Sequence, residues 1–401
     1  MDFDIVIVGG GLSGLALAAE LARPEFSMLR VLVLEQRKSY VRDRTWSYWK
    51  ASQQATHHYS HLERQHWRRW RVRKDRSTNQ QAPQRVTKNS NNELYCSLDG
   101  DQFYFAAQGA ISQSDHVKLS LGISIRRIIE GEWPSVETTD GETICATWIF
   151  DARPPQQNSE STLVQQFVGQ EIITETDVFD ASTVELMHFF PSIDGLHFFY
   201  ILPYSARNAL VETTWISPAS FKPDFNAELK QFIASSLGTF AYEVVYEEKG
   251  ILNLSFDQNK PNKRSRVVAL GRAAGTLRAS TGYAFLETLE HVEKIARSLN
   301  KHLVTDELKN WIPMTFKRRA LDAWMDKVFL NVLQRDWGTS SHYFMQLFQR
   351  LSADTMVAFL SGRASWRQRL LVSKALPSWP FASQALSTLI DSMQKLLRGN
   401  R

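Results

Sequence analysis

Apolar residues near the start of the chain predict one βαβ unit. Residues 4–8 form a short apolar run that stops at glycines, which is typical of a buried parallel strand. Apolar residues then recur at helical spacing over residues 12–21, and residues 31–34 form a second apolar run. The first 35 residues therefore predict a strand, a helix and a second parallel strand, as in doubly wound nucleotide-binding domains.

The pattern changes after this unit. Residues 53–92 are rich in Gln, Asn, Ser and Arg, and they predict a long excursion outside the core. A helix is predicted near residues 103–111, followed by short strands at residues 117–121, 124–129 and 143–150. We expect these strands to complete the first sheet.

The second half of the chain divides into a sheet region and a helical region. Residues 167–246 alternate between apolar and polar positions and carry many aromatic side chains, which predicts an antiparallel sheet. Residues 267–270 return to a buried strand that ends at Gly271, and helical periodicity runs from Phe285 to the C-terminus. No internal repeat is apparent.

Composition narrows the class of protein. The 401 residues include 11% aromatic residues, and the chain has only two cysteines, Cys96 and Cys145, far apart. This usage fits a reducing cytoplasm and predicts neither a disulfide framework nor a metal site. Because the first strand starts almost at Met1, and no apolar run reaches eighteen residues, we expect no signal peptide and no transmembrane helix.

The formal net charge is +5, and cationic residues cluster within residues 64–76 around Trp67 and Trp70. Three interpretations are open: a solvated basic loop, attachment to anionic lipid headgroups with tryptophans at the interface, or nucleic-acid binding. Nucleic acid is the weakest of these, because no recognition motif accompanies the charge. We expect no nucleic-acid partner.

A dinucleotide fingerprint lies between the first strand and the first helix. Gly9, Gly11 and Gly14 occupy the three glycine positions of G-x-G-x-x-G, with Leu12 and Ser13 opening the helix whose N-terminus attracts phosphates. Glu35 follows at the distance expected for an acid that binds a ribose 2′-hydroxyl, which argues against NADP at this site.

The fingerprint alone does not choose between FAD and NAD. FAD is favoured because its ring must reach a second lobe built by later sequence, and the strand that ends at Gly271 supplies a late return to the cofactor domain. No second fingerprint follows downstream, so a reduced flavin would take its electrons from an external donor, NAD(P)H or another protein.

Four segments together resemble the bacterial lycopene cyclases, FAD-dependent enzymes that form β-carotene-type rings. They are the fingerprint, the T-W-S segment at residues 44–48, the acid-containing strand at residues 210–214, and the late loop at residues 271–275 and 280–283. Two positions depart from the family pattern. Arg272 stands where many FAD proteins have Asp, and His188 stands where the family commonly has Asp.

The resemblance implies a lycopene β-cyclase that closes the linear ends of lycopene beside reduced FAD, without net redox change. It implies Glu212 as the proton donor, although an outward-facing glutamate is the ordinary interpretation of such a strand position. It also implies flavin contacts from Arg44, Gly271, Gly282 and Tyr283. Trp46, Phe199 and Trp215 are expected to line the substrate pocket, whereas Glu287 is expected to be structural or flavin-adjacent.

The predicted fold class is α/β: a doubly wound, Rossmann-type FAD-binding domain with an antiparallel-sheet substrate lobe and a helical C-terminal region. The FAD-binding parts are expected at residues 1–52, 101–160 and 263–300, the irregular excursion at 53–100, the substrate lobe at 161–262, and the helical tail at 301–401. Aromatic and basic residues alternate in the tail, as in ordinary packed helices and in helices at a membrane surface alike. The lipophilic substrate favours a cytoplasmic protein bound peripherally to a membrane.

Three other functions share this fold. A flavin monooxygenase would consume O₂ and give a product heavier by one oxygen. A polyprenyl reductase would give a product two hydrogens heavier for each reduced bond. A non-enzymatic escort of prenylated proteins would need no flavin and would tolerate the loss of Glu212.

Overall fold

The computed structural model describes residues 2–52, 58–75, 84–155, 163–238, 241–254 and 265–398. Its strands are β1 (Phe3–Val8), β2 (Val31–Glu35), β3 (Thr45–Ala51), β4 (Gln65–Trp67), β5 (Arg69–Lys74), β6 (Gln84–Asn89), β7 (Glu93–Asp99), β8 (Val117–Leu121), β9 (Ile125–Ile129), β10 (Ser135–Thr138), β11 (Thr143–Asp151), β12 (Leu163–Thr174), β13 (Thr183–Phe190), β14 (Leu196–Pro203), β15 (Asn208–Pro218), β16 (Tyr242–Asn253) and β17 (Val267–Ala269).

The α-helices of the same ranges are α1 (Leu12–Leu21), α2 (Gly100–Ser112), α3 (Phe225–Ser236), α4 (Phe285–Leu303), α5 (Ala320–Arg335), α6 (Trp337–Arg350), α7 (Ala353–Leu360), α8 (Trp366–Ala375) and α9 (Ser378–Arg398). In this described part of the chain, no helix is both long and apolar enough to cross a membrane.

The first sheet has the strand order β8-β2-β1-β11-β10-β9, with β17 also paired to β11. The pairs joining β8, β2, β1, β11 and β17 are parallel. Helices α1, α2 and α4 cover one face, where Ile5, Leu15 and Ile295 are fully buried. The central strands are apolar on both faces, as a sheet covered on both sides requires. The predicted doubly wound domain is confirmed.

The second sheet has the order β16-β12-β15-β14-β13-β5-β6 and forms the substrate lobe. All of its pairs are antiparallel except that of β5 with β13. A third, small sheet consists of β3, β7 and β4. Strands β5 and β6 come from the region that was predicted to be irregular.

The prediction of an irregular excursion at residues 53–100 is therefore wrong for its described part, which contributes four strands. The physical signal is a period of two in β5: Trp70 and Val72 are fully buried, whereas the intervening arginines point away. Trp67 is also 2% exposed, so neither tryptophan reaches a lipid interface. The arginine-rich composition concealed an ordinary strand.

Three of the six described cations of this cluster are paired with carboxylates of the protein. Arg64 bonds Glu171 at 2.7 Å, and Arg71 donates to Glu185 at 2.8 Å, with Arg73 close to the same carboxylate. Arg76 lies outside the described residues. The prediction of a solvated loop is therefore wrong for residues 65–67 and 69–74, which form strands, whereas attachment to anionic lipid stays a prediction.

Helices α5 to α9 pack together against the substrate lobe, and most of their aromatic side chains are core residues. Tyr343, Phe344 and Phe348 are at most 8% exposed and join a cluster with Trp70 and Phe189 of the sheet. The helical tail is confirmed, and its aromatic residues serve mainly to close the lobe.

Candidate active site

A large cavity joins the two lobes. It has a volume of about 1190 Å³, beyond the roughly 300–1,000 Å³ of an ordinary small-molecule site. Its wall combines the fingerprint turn, the end of β2, one face of the substrate-lobe sheet, the late loop and the C-terminal helices. The wall is built by segments that are far apart in the sequence, and the volume is large enough for two extended ligands.

The fingerprint turn forms one end of the cavity. Gly9 has φ +99°, a conformation that favours glycine, and a Cβ at Gly14 would collide with the carbonyl oxygen of Gly9. A Cβ at Gly11 would meet open space, so Gly11 leaves room for a ligand to approach the backbone. Leu12 and Ser13 line the cavity at the N-terminus of α1, which favours an anionic group.

Glu35 lies in the cavity wall and is 4% exposed. It accepts the backbone N–H of Gly10 at 2.5 Å and the backbone and side chain of Arg37 at 2.8 and 3.0 Å. Burial acts to raise the pKa of Glu35, but these hydrogen bonds outweigh it and lower the pKa. The ionised carboxylate of Glu35 is thus held in place by hydrogen bonds from both Gly10 and Arg37.

Two further arginines line the same region. Burial and the neighbouring guanidinium of Arg44 lower the pKa of Arg272, whose guanidinium donates to the carbonyl of Ile251 at 3.3 Å. Two like charges facing one cavity are relieved by an anionic ligand. The late loop adds Gly271 and Gly282, both with positive φ, and Tyr283. The glycine turn, helix N-terminus and arginines together fit a dinucleotide with phosphates.

A row of register-paired residues crosses the substrate-lobe sheet. Tyr200 of β14 is opposite Glu212 of β15, Glu212 is opposite Gly169 of β12, and Gly169 is opposite Glu248 of β16. Paired residues point to the same face, and Tyr200, Glu212 and Glu248 line the cavity. Glu212 and Glu248 are 8% and 4% exposed.

Glu212 has few stabilising contacts for a charge. Burial and the nearby Glu248 raise the pKa of Glu212 to about 8, opposed by one hydrogen bond from the Thr214 hydroxyl at 2.5 Å. The group is therefore a neutral carboxylic acid at pH 7. A buried acid that holds a proton at neutral pH is suited to proton donation.

Glu248 is the site residue that the sequence prediction missed. Burial raises the pKa of Glu248 to about 7, although hydrogen bonds from Tyr246 and Thr45 and the charge of Arg42 act in the opposite direction. No sequence signal separates it from its exposed neighbour Glu247. Its place opposite Gly169 is a property of sheet register alone.

Aromatic side chains surround the two acids. The Tyr200 hydroxyl donates to Tyr95 at 2.8 Å, and the Tyr283 hydroxyl lies 3.3 Å from the same oxygen. Trp46 also lines the cavity, with its ring 5.3 Å from that of Phe285. Aromatic side chains therefore form part of the wall that also contains Glu212.

Phe199 and Trp215 were predicted to line the substrate pocket, and the structure corrects this. Strand alternation places both on the opposite face of the sheet, where Phe199 stacks on Phe232 at 3.8 Å and Trp215 stacks on His197 at 4.2 Å. Both faces of these strands are buried, so an apolar residue on either face gives the same sequence signal. Phe198 and Tyr200 face the cavity instead.

Two other singled-out residues lie outside the cavity wall. His188 is 1% exposed, with its Nε2 atom 2.7 Å from Asp75. Glu287 accepts two hydrogen bonds from Arg318 at 2.6 and 2.9 Å and acts structurally. Among the described residues, no group of three or more His, Cys, Asp and Glu side chains could hold a metal ion.

Comparison with known families decides the relationship. A family model described as "Lycopene cyclase protein" matches residues 4–386. The chain belongs to the lycopene cyclase family. A "Lycopene beta-cyclase" of Paracoccus sp. (strain N81106 / MBIC 01143) is similar, with 25% identity over 411 residues that cover 96% of each protein.

Solved structures share the fold of this lycopene cyclase family member. Halogenase PltM in complex with phloroglucinol and FAD superimposes with a TM-score of 0.60 at 15% identity, covering 100% of this chain and 93% of that one. A geranylgeranyl bacteriochlorophyll reductase-like protein of Thermoplasma acidophilum gives a TM-score of 0.59 at 13% identity, covering 95% and 98%. These similarities place the chain in a Rossmann-type fold shared by flavoenzymes.

Proposed function

We propose that this protein is an FAD-dependent lycopene β-cyclase. It closes the linear ends of lycopene into β-ionone rings, giving γ- and then β-carotene, by a proton-initiated reaction with no net change of redox state. The observation that carries the proposal is a buried, neutral glutamic acid, Glu212, in a cavity that also contains a dinucleotide-binding turn.

Glu212 starts the reaction. Its proton adds to the terminal double bond of the polyene and leaves a carbocation, which the neighbouring double bond attacks to close a six-membered ring. Loss of a proton from the ring then fixes the new double bond. The apolar surroundings of Glu212 keep the acid protonated until substrate is bound, and they exclude water that would trap the cation.

Aromatic rings facing the cavity stabilise the cation. Phe198 and Tyr200 lie on the same face as Glu212, and Trp46 and Tyr283 close other parts of the wall. The face of an aromatic ring attracts a nearby cation by about 0.5 to 2 kcal/mol, depending on how dry the site is. These aromatic residues act on the cation and need not bind an anion.

The residues that would hold FAD are those of the fingerprint turn, Glu35, Arg44 and the late loop. When bound in its reduced, anionic form, FAD supplies a fixed negative charge that stabilises positive charge developing in the cavity. Arg44 and Arg272 would hold anionic groups of the cofactor at this end of the site, and Glu35 would accept a ribose hydroxyl. The electrons come from NAD(P)H or another external donor.

Membrane attachment through α8 and α9 is part of the proposal. Trp366 and Trp379 are 67% and 82% exposed, and the apolar residues exposed beside them on the same helices are Leu370, Leu371, Leu386, Leu389 and Ile390. Arg367 and Lys374 add positive charge, and Lys374, Phe381 and Ala385 of these helices also line the cavity. A bilayer with anionic lipids fits this surface, and a C40 hydrocarbon would enter from it.

The central experiment expresses the protein in cells that accumulate lycopene and compares it with Glu212→Gln. We expect cyclic pigment of unchanged mass from the wild type and unaltered lycopene from the variant, because glutamine has no acidic proton. The exposed Glu247 provides the matched control, and Glu247→Gln should cyclise like the wild type. Full activity of Glu212→Gln would remove this residue from the mechanism.

The mass of the product separates the rival functions. An added oxygen would indicate a monooxygenase, and two added hydrogens for each reduced bond would indicate a reductase. A colourless purified protein that ignores added flavin would contradict the FAD proposal. We expect a yellow protein whose product has the mass of lycopene.

Vesicle sedimentation tests the membrane surface. A double variant, Trp366→Ser with Trp379→Ser, should bind vesicles containing anionic lipid several-fold less than the wild type, since both side chains contribute exposed apolar area. Trp133→Ser is a suitable control, because Trp133 is 49% exposed but lies in the first lobe. Equal binding of the double variant and the wild type would exclude α8 and α9 as the docking surface.

A further inference from the structure

A gap separates the two buried acids of the cavity. Glu212 and Glu248 lie on either side of Gly169, each paired with it in the sheet register. A Cβ at position 169 would lie 3.2 Å from the Cδ1 of Leu210 and 3.4 Å from both the Cβ of Glu212 and the Cγ of Glu248. Since glycine weakens a strand interior, its place here is typical of a point where a ligand approaches the sheet closely.

The contacts of the two acids differ. Glu248 accepts the Tyr246 hydroxyl at 2.8 Å, lies near Thr45 and is attracted by the Arg42 guanidinium. Among the described residues, the Thr214 hydroxyl is the one hydrogen-bond donor to Glu212, and no cation there lowers its pKa. Donors and a cation stabilise a carboxylate, whereas their absence stabilises the neutral acid.

We propose that Glu248 is a second catalytic residue, the base that removes the proton from the cyclised cation, while Glu212 is the acid. The inference rests on the proposed function, because it assigns the last step of that reaction. A polyene end lying in the cavity between Glu212 and Glu248 would contact both carboxyl groups, one on each side.

The proton that Glu212 gives up is recovered by Glu248, so the reaction has no net gain or loss of protons. The O–H bond of Glu212 breaks as a C–H bond forms at the terminal double bond, and Glu212 becomes a carboxylate. After ring closure, a ring C–H bond breaks, its electron pair forms the new double bond, and Glu248 takes the proton. When the product leaves, the proton returns from Glu248 to Glu212 across the gap, and no oxidant or reductant is consumed.

Several charged and titratable groups surround Glu248. Glu212 faces it from β15, and Arg42, Thr45 and Tyr246 contact or attract it. The negative charge of Glu248 also acts on Tyr204. Arg42 donates a hydrogen bond to Glu171, which also accepts one from Arg64. These groups keep Arg42 in place, and Glu212 is the acid across the gap.

The test compares Glu248→Gln with Glu247→Gln. The second residue is the neighbour on the same strand, exposed on the opposite face, where it accepts a hydrogen bond from Gln170. We expect Glu248→Gln to lose about 10²- to 10⁴-fold in cyclisation rate, the usual contribution of a general base, with flavin content unchanged. Glu247→Gln should match the wild type.

The pH profile gives a readout that a structural role would not change. Wild-type activity should fall at low pH as Glu248 gains a proton and at high pH as Glu212 loses one. The remaining activity of Glu248→Gln should lack the fall at low pH. Its fall at high pH should move to lower pH, because the negative charge that disfavours ionisation of Glu212 is gone.

A second variant acts through the gap itself. Gly169→Ala places a methyl group between the acids and should slow cyclisation, with both carboxyl groups kept. If Glu248→Gln folds poorly, judged by soluble yield and flavin content, Gly169→Ala still tests the arrangement. A Gly169→Ala protein as fast as the wild type would overturn the proposal.

Infrared difference spectra of purified protein separate this inference from the proposed function. The C=O band of protonated carboxylic acids should titrate near neutral pH in the wild type, and both Glu212→Gln and Glu248→Gln should alter it. If the wild type cyclises lycopene and Glu248→Gln is as fast as Glu247→Gln, Glu248 is not the base although the function stands. If the paired titration is present but lycopene is untouched, the substrate assignment fails instead.

Discussion

Two glutamates with opposite pKa shifts lie on the two sides of strand β15. On the cavity face, burial and Glu248 raise the pKa of Glu212 to about 8. On the other face, Glu228 of α3 is also partly buried, yet its pKa is lowered. Adjacent threonines serve the two acids: Thr214 donates to Glu212 at 2.5 Å, and Thr213 donates to Glu228 at 2.6 Å.

The difference lies in the remaining contacts. Burial acts to raise the pKa of Glu228, but His197, Thr213 and the indole N–H of Trp215 together outweigh it. Glu212 has a single donor and a like charge as its neighbour. Burial alone does not make a proton donor. An acid must also lack the donors that would stabilise its charge.

The largest expected effect is the opposite pH dependence of the two acids. The folded protein holds a proton on Glu212 between its ordinary pKa of 4.5 and about 8, where the unfolded chain has lost it. Stability should therefore decrease as pH rises through this window, by up to about 1.4 kcal/mol per pH unit. Glu212→Gln should flatten this part of a curve measured by urea unfolding.

Glu228 should behave in the reverse sense, because its pKa is lower in the folded state. Its contribution is present above its ordinary pKa and is lost as pH falls through the lowered value. If Glu212→Gln and the wild type show parallel stability curves from acid to neutral pH, Glu212 does not hold its proton in the folded protein.

A smaller effect is expected for Glu228→Gln. The amide group of glutamine places donors where Thr213 and Trp215 already donate, so at least one buried polar group loses its partner. The expected loss of unfolding free energy is about 1 to 3 kcal/mol. The exposed Glu243 of β16 provides a control, and a Glu228→Gln protein as stable as Glu243→Gln would show that these hydrogen bonds contribute little.

The smallest effect concerns two aromatic residues at adjacent positions, Phe198 and Phe199. Phe198→Leu should lower kcat by about 2- to 30-fold, corresponding to about 0.5 to 2 kcal/mol of lost cation stabilisation. Phe199→Leu should instead lower the unfolding free energy with kcat nearly unchanged, since Phe199 packs on Phe232 away from the cavity. Steady-state kinetics on lycopene in vesicles would reveal the contrast, and equal kcat values for the two variants would contradict it.

Local patterns were enough to predict the first lobe. Helix α1 starts and ends at the predicted residues, and β8 has its predicted bounds, because glycines and apolar runs mark these elements in the sequence itself. The family resemblance led to Glu212, which the structure places in the cavity wall.

Register and sheet order could not be predicted in the same way. Nine consecutive residues of β15 are buried, so alternation does not tell which face meets the cavity, and Phe199 and Trp215 were assigned to the wrong one. Glu248 becomes a site residue only through pairing with Gly169. Strand β5 was missed because arginines on its outer face hid the alternation of Trp70 and Val72.

The way the chain passes repeatedly between lobes has a consequence for synthesis on the ribosome. Strand β1 pairs with β11, about 140 positions later, and β11 then pairs with β17, more than 110 positions beyond that. Strand β5 likewise cannot pair with β13 until β13 has been synthesised. Neither sheet can be completed before most of the polypeptide has emerged, so apolar segments such as β1 stay without their final neighbours during translation. Formation of long-range pairs is slow, and holding chaperones would be most needed at this stage.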